Sequence, residues 1–339
     1  MSKKIAINGF GRIGRAFLKL ALNKPELEIV AINDLGDLEN LAYLLKYDSA
    51  YGRFNKEVSV KDGKLVVDGK EYLFLQEKDA TKLLWGQLGI DIVVESTGVF
   101  ESFEKASVHK QAGAKRVVLT APAKDDDSAD AKTVLMGVND EDLKTCSISS
   151  NGSCTTNSAS PVLQILAETI GVKKAFLNTT HGYTATQNLV DGPVKGRDFR
   201  RGRAGGVNIV PSYTGAAIAV GRAVKAVSGK FEGTSMRVPI IAGSLSGITF
   251  VSARPTSTEE INKILRDAAQ EPRWQGIFRA TDEQLVSSDI VGDPYAAIAD
   301  LSLTKVVDGD LCAVYSWYDN EFGYTNTLVQ HVLKVAMNI

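Results

Sequence analysis

Ile5-Ala6-Ile7-Asn8-Gly9-Phe10-Gly11-Arg12-Ile13-Gly14 carries an apolar run straight into glycines spaced Gly-x-Gly-x-x-Gly. Lys3 to Ile7 reads as a short strand, and from Arg15 to Leu22 the residues Phe17, Leu18 and Ala21 share one side of a helix. Strand, glycine turn and helix are the order that a dinucleotide-binding turn requires. A second strand, Glu28-Ile29-Val30-Ala31-Ile32-Asn33-Asp34, ends in an acidic residue about 20 positions on, as that fingerprint asks. Gly9 permits the tight turn, Gly11 lets the backbone approach a pyrophosphate, and Gly14 lets helix and strand pack closely. Asp34 is placed to accept from a ribose hydroxyl, and its charge repels a 2′-phosphate. NAD is therefore favoured over NADP, a preference that Arg12 or Lys78 could soften.

Further along the chain, strand-like runs recur at Asp91–Thr97 and Arg116–Thr120, with a helix-like stretch, Phe103 to Gln111, between them. This alternation implies a Rossmann-type, doubly wound parallel sheet in an α/β domain. Ligands of such sheets sit at the carboxyl ends of the strands, which makes Thr97 and Thr120 candidates for the cofactor crevice. The acidic run from Asp125 to Asp130 reads as a solvated loop. After about residue 150 the pattern changes. Thr234–Pro239 and Gly247–Arg254 read as strands of an α+β second domain, with a long Gly- and Arg-rich loop from Gly182 to Gly206. Leu328, Val332, Val335 and Ile339 share one face of a C-terminal helix that can pack back on the first domain. The expected domains are residues 1–152 with the helix 320–339, and residues 153–319.

Chemistry concentrates at Ser150-Asn151-Gly152-Ser153-Cys154-Thr155-Thr156-Asn157. The following run, Pro161 to Ile170, has Val162, Leu163, Leu166 and Ile170 on one helical face, so Cys154 is expected near a helix N-terminus. Backbone N–H groups and the helix dipole there stabilise a thiolate and can also bind an anion. Cys146 and Cys312 lie in apolar surroundings and read as inert core thiols.

With 39 basic and 40 acidic residues in 339, the chain is near neutral, which argues against nucleic acid or a membrane surface as primary partner. Five basic residues, Lys195 to Arg203, cluster in the long loop, but only Phe199 is interleaved with them; an interface or anion-facing role fits better. The three cysteines have no regular spacing, and no apolar run approaches a membrane span or a signal peptide, so a cytoplasmic setting is expected. His109, His181 and His331 show no paired spacing, and no metal site is expected.

Ala6–Arg15, Leu44-Leu45-Lys46-Tyr47-Asp48-Ser49, Ser153-Cys154-Thr155-Thr156-Asn157 and Trp317-Tyr318-Asp319-Asn320-Glu321-Phe322-Gly323-Tyr324 together resemble the phosphorylating glyceraldehyde-3-phosphate dehydrogenases, collinearly over nearly the whole chain. That resemblance implies a homotetramer in which Cys154 attacks glyceraldehyde 3-phosphate, NAD accepts hydride, and inorganic phosphate releases 1,3-bisphosphoglycerate from a thioester. It makes His181 the base, consistent with the need of a nucleophilic thiol for a proton acceptor of near-neutral pKa. It also implies phosphate-binding roles for Ser153, Thr155, Thr184, Thr186, Thr214, Gly215 and Arg237. A guanidinium suits that task because it offers bidentate oxyanion contacts at any pH. Cofactor contacts implied are Arg12 and Ile13 at the pyrophosphate turn, Asp34 at the adenosine ribose, Lys78, Thr120, Asn320 near the nicotinamide amide, and Tyr324 beside the ring. The loop 182–206 matches the family's S-shaped loop, which lines a neighbouring subunit's cofactor pocket, and its basic residues become interface groups.

The chain departs from the family in places. Ser158 replaces a usual second cysteine, Gly152 an alanine and Val99 a common arginine, and residues 240–247 follow Arg237-Val238-Pro239 with an unusual sequence. An erythrose-4-phosphate dehydrogenase is the alternative enzyme; a fold kept for RNA or adhesion without turnover is the alternative of another class, which the intact Cys154, His181 and Arg237 oppose.

Overall fold

The computed structural model describes residues 2–194 and 196–339; Lys195 of the basic cluster lies outside the described residues. The chain forms two compact units. The first takes in the chain up to Val134, Asp140–Gly152 and Leu328–Ile339; the second takes in Leu135–Asn139 and Ser153–Thr327.

In the first unit the elements run β1 (Lys3–Asn8), α1 (Arg12–Ala21), β2 (Leu27–Asn33), α2 (Leu38–Lys46), a small ladder of β3 (Tyr47–Asp48) and β4 (Gly52–Arg53), then β5 (Val58–Lys61), β6 (Lys64–Val67) and β7 (Lys70–Leu75). They continue through α3 (Trp85–Leu88), β8 (Ile92–Glu95), α4 (Phe103–Ala106), α5 (Val108–Gln111), β9 (Arg116–Leu119), β10 (Ala131–Thr133) and β11 (Ile148–Ser150). The sheet order is β10-β11-β9-β8-β1-β2-β7-β6-β5. It is parallel from β10 to β7, and the β5-β6-β7 end is antiparallel. β1 pairs with β2 on one side and β8 on the other, so the order reverses there and the crevice opens at Asn8, Asn33 and Glu95. Phe17 and Leu18 of α1 are fully buried, each worth roughly 1.5–3 kcal/mol of apolar burial.

The glycine turn is built as its spacing requires. Gly9 has φ +97°, and a Cβ there would meet the Ser96 carbonyl carbon at 2.6 Å. A Cβ on Gly14 would lie 2.1 Å from the Gly9 carbonyl oxygen, so the helix can approach the strand only without one.

Three expectations need correction here. The stretch Phe103–Gln111 is two short helices divided at Ser107, whose hydroxyl donates to the Glu104 carbonyl. The Asp125–Asp130 run is not merely solvated: Asp125 accepts from Phe103 and Glu104 N–H at the start of α4, and Asp127 accepts from Thr133. Ile339 lies past the end of the C-terminal helix, α9 in the numbering below, although Leu328, Val332 and Val335 are buried.

The second unit contains α6 (Cys154–Thr169), β12 (Val172–Gly182), β13 (Val210–Tyr213), α7 (Ala216–Ala223), β14 (Phe231–Val238), β15 (Ser244–Ser252), α8 (Thr258–Ala268), β16 (Phe278–Thr281), β17 (Ala297–Val307) and β18 (Leu311–Tyr318). From Leu328 onward, the residues of α9 (Phe322–Met337) belong to the first unit. The sheet order is β13-β14-β12-β15-β18-β17-β16, antiparallel except at β12/β14 and β16/β17. Helices α6, α7 and α8 pack on it. Among the described residues no helix is long and apolar enough to cross a membrane.

Candidate active site

Helix α6 starts seven residues before the run that announces it in sequence. Ser153 is its N-cap, accepting from the Thr156 N–H at 3.1 Å while the Thr156 hydroxyl accepts from the Ser153 N–H at 3.2 Å. This reciprocal cap holds a stretch poor in helix formers in the first turn. Pro161 is therefore an interior residue, and Cys154 is the first residue of the helix.

His181 lies on β12 directly opposite Arg237 of the parallel strand β14. The Cys154 Sγ is 3.3 Å from His181 Nε2, and Arg237 Nη1 is 2.7 Å from His181 Nδ1. His181 Nδ1 is also 2.7 Å from the Gly182 carbonyl, to which Arg237 Nη1 donates at 3.2 Å. The two contacts at Nδ1 demand different tautomers. Donating to Gly182 leaves an Nε2 lone pair facing the thiol; accepting from Arg237 places the proton on Nε2, facing sulfur.

Tyr318 contacts the imidazole and the first turn of α6. Its ring lies edge-on to the imidazole at 5.9 Å between centroids, and its hydroxyl bonds Thr155 Oγ1 at 3.0 Å and Thr179 Oγ1 at 2.8 Å. Burial raises the Tyr318 pKa, so it stays a neutral phenol.

Electrostatics at the pair differ from the sequence reading. Cys154 retains partial exposure, yet its close-packed surroundings push the thiol pKa up, opposed by the Arg237 charge and by hydrogen bonds from Thr155 and the helix N–H groups. Burial, followed by the charge of Arg237, pulls His181 down to about 3. Desolvation acts on both partners in the sense that favours their neutral forms, and it opposes the helix terminus and the Arg237 charge, which favour the thiolate.

The anion-binding candidates divide. Thr184 and Thr186 hydroxyls are 3.0 Å apart, and Arg201 reaches Thr186 and the Tyr213 carbonyl. Gly215 is the N-cap of α7, and the Thr214 hydroxyl accepts from Ala216 N–H. Thr155 is 4% exposed, and its hydroxyl turns inward to Tyr318 and the thiol rather than outward to a ligand. Arg201 went unrecognised in the sequence, hidden among the basic residues of the loop. Others of that group, Arg200 and Arg203, pair with Asp198 and Asp191. Ser244 was missed as well. Its hydroxyl accepts from Gly182 N–H at 3.2 Å and donates to Asn320 Oδ1 at 2.9 Å, so part of the unusual 240–247 segment braces the residue after His181 and orients the Asn320 amide. Tyr324 is buried in α9, within the second unit.

In the first unit, a cavity of about 410 Å³ opens at the strand ends, and Gly9, Gly11, Asp34, Leu35, Lys78, Thr97, Val99 and Phe100 are among its lining residues. Arg12, Ile13, Gly14 and Thr120 do not line it. Arg12 instead donates to Asp48 at 2.6 Å and lies over the Tyr51 ring, which argues against its softening the cofactor preference. Asp34 is pinned by Phe10 N–H at 2.6 Å and Gly36 N–H at 2.8 Å. A Cβ on Gly11 would meet nothing within 4 Å, so the cradle at the start of α1 is open. Open backbone at a helix N-terminus, a fixed carboxylate one strand away and a cavity at the strand ends fit NAD.

Comparisons with known proteins point to one family. Residues 3–103 match the family described as "Glyceraldehyde 3-phosphate dehydrogenase, NAD binding domain", and residues 153–320 match its "C-terminal domain". The chain is 47% identical to a glyceraldehyde-3-phosphate dehydrogenase of Clostridium pasteurianum, covering 98% of this chain and 99% of that protein. It is 46% identical to the Thermotoga maritima protein of that name (96% and 97%) and 44% identical to the Geobacillus stearothermophilus one (99% of each). A thiol and imidazole in contact, a dinucleotide cradle and near-complete collinearity with these relatives have one common explanation: the chain belongs to the glyceraldehyde-3-phosphate dehydrogenase family.

Proposed function

We propose that Cys154 and His181 carry out the oxidative phosphorylation of D-glyceraldehyde 3-phosphate to 1,3-bisphosphoglycerate, with NAD and inorganic phosphate. The observation that carries this reading is the 3.3 Å contact between Cys154 Sγ and His181 Nε2 at the first turn of a capped helix. His181 Nε2 takes the thiol proton as sulfur attacks the aldehyde carbon, and returns it to the carbonyl oxygen to complete the thiohemiacetal. It then takes the hydroxyl proton as the carbon–hydrogen bond breaks and a thioester forms on Cys154. NAD, when bound, supplies the hydride acceptor for that step. Phosphate attacks the thioester carbon, the carbon–sulfur bond breaks, and the leaving thiolate is reprotonated by the imidazolium. Arg237 binds a substrate phosphate; the dianion then offsets the charge that depresses His181, so the base strengthens as substrate arrives.

Gly9, Gly11, Arg12, Ile13 and Gly14 hold the pyrophosphate through the backbone of the turn, Asp34 the adenosine ribose, and Lys78, Thr97, Thr120, Asn320 and Tyr324 the remainder. Ser153, Thr184, Thr186, Thr214, Gly215 and Arg201 serve the anions, and Thr155 serves through its backbone. The NAD domain corresponds to the first unit and the catalytic domain to the second, so the boundary expected at 319/320 moves to Thr327/Leu328 and Leu135–Asn139 goes with the catalytic domain. The protein works as a cytoplasmic homotetramer. Supporting this are Leu189, Val190, Phe199, Val207 and Ile209, which lie in or just beyond the loop 182–206 and are each at least 70% exposed in the single chain. The three cysteines are unpaired, which suits a reducing compartment.

The test is NADH formation from glyceraldehyde 3-phosphate and NAD, with and without phosphate or arsenate, and with erythrose 4-phosphate for comparison. Turnover that depends on phosphate and favours the triose is expected. Equal rates without phosphate would mean that the acyl-enzyme is hydrolysed, and no NADH from folded protein would remove the assignment. Light scattering on the purified protein should give a mass near four chains.

A further inference from the structure

Beneath the dinucleotide cavity lies a buried polar network that the chemistry does not use. Glu95, at the end of β8, is 3% exposed, and His109 of α5 is fully buried. Glu95 Oε2 accepts from Asn8 Nδ2 at 2.6 Å and lies 2.9 Å from His109 Nε2. Glu95 Oε1 accepts from the Thr97 N–H at 2.8 Å and from the Thr97 hydroxyl. The Trp85 indole N–H, 3.2 Å from His109 Nδ1, can only donate, so Nδ1 accepts and the ring proton sits on Nε2, aimed at the carboxylate. One carboxylate thus gathers four donors.

The network extends to several residues that line the cavity. Asn33 Nδ2 donates to Asn8 Oδ1 at 2.7 Å and to the Glu77 carbonyl at 3.0 Å, and Asn33 Oδ1 accepts from Glu77 N–H at 2.9 Å. Val99 N–H donates to the Thr97 hydroxyl at 3.0 Å. Asn8, Asn33, Glu77, Thr97 and Val99 all line the cavity; Glu95 and His109 do not. The ends of β1, β2 and β8 and the segments after β7 and β8 therefore share one hub.

We propose that Glu95 is a positioning residue for the adenosine half of NAD, holding these walls in place before ligand arrives, with His109 as the donor that keeps the hub complete. The proposal rests on the reading of this cavity as the NAD site. A carboxylate is required because every neighbour donates: an amide at this position presents N–H groups to N–H and O–H donors.

The experiment measures equilibrium binding of NAD and of ADP-ribose to the intact protein by calorimetry, together with steady-state kinetics and thermal melts. Wild-type protein must bind both ligands; failure there would remove the reading of the cavity rather than the role of Glu95. In Glu95→Gln, the dissociation constants of NAD and ADP-ribose are expected to rise in parallel by tenfold or more, with kcat at saturating NAD within about threefold of wild type. Unchanged dissociation constants in a folded variant overturn the proposal, whether or not its melting temperature falls. So does a loss of kcat with affinity intact. Should Glu95→Gln not fold, His109→Leu and His109→Gln decide. Loss of the donor in the first should weaken ADP-ribose binding, and its retention in the second should restore it; equal affinities in the two overturn the proposal.

Discussion

His109 and His181 are both buried imidazoles with both ring nitrogens engaged, one in each unit. Around His109 the partners agree: an indole that can only donate and a carboxylate that accepts leave a single tautomer. Around His181 they disagree, because the carbonyl of Gly182 and the guanidinium of Arg237 ask opposite things of Nδ1. A ring whose partners agree is a fixed strut. One whose partners conflict can pass a proton between sulfur and substrate without rebuilding its surroundings.

Replacing Cys154 by Ser gives the largest expected effect. It should lower kcat by about 10⁴-fold or more, as removal of a nucleophile does elsewhere, while NAD binding persists in a calorimetric titration. Near-normal turnover would leave the conflicted ring without a purpose. Next comes His181→Asn, expected to cost about 10²–10⁴ in kcat measured at saturating substrates. The same substitution at His109 should act on cofactor affinity, and an equal kcat loss at the two positions would show that the two imidazoles do not differ in role.

The third histidine is buried as well. His331 bonds Ser149 Oγ at 2.7 Å and Asn151 Oδ1 at 3.3 Å, and burial lowers its pKa from 6.5 to about 4. The unfolded chain binds a proton near pH 6.5 that the folded chain refuses until about pH 4, so its stabilising contribution is complete above pH 6.5 and lost as pH falls to about 4. Denaturant midpoints across that window should drop, and His331→Gln should flatten the curve by about 3 kcal/mol. An unaltered curve would show that the acid sensitivity lies elsewhere, with His181 the next group of the same sign. The smallest effect belongs to Asp34→Gly, expected to reduce the ratio of NADP to NAD dissociation constants by about fivefold, the scale of one exposed charge interaction.

Much of the fold was legible because its signals are local. The glycines at positions 9, 11 and 14 and the acidic residue at 34 mark strand, turn, helix and strand by spacing alone. Cys154 was found for the same reason, but the start of its helix was misplaced: Pro161 suggests a first turn, and the signal that overrides it is the Ser153/Thr156 cap in a stretch of weak helix formers. The role of His109 was not legible because its partners, Trp85 and Glu95, come from other elements and leave no mark near it in sequence. Arg201 and Ser244 were hidden likewise, the first by a charged neighbourhood, the second by an unfamiliar segment. The desolvation acting on the thiol and the imidazole was not readable either, because the helix terminus is a local feature whereas burial belongs to the assembled interior.

The parallel pairing of β12 with β14, which sets His181 opposite Arg237, bears on how such a chain can change over time. The segment between the two strands can lengthen, shorten or diverge while the ladder keeps the imidazole and guanidinium side by side. A single residue gained or lost within either strand would send every following side chain to the other face and separate them. Variation in length is thus tolerated where the backbone is free to loop and forbidden where it is laddered, so that the spacing from His181 to Arg237 along the chain is a weaker constraint on the enzyme than the register of two neighbouring strands.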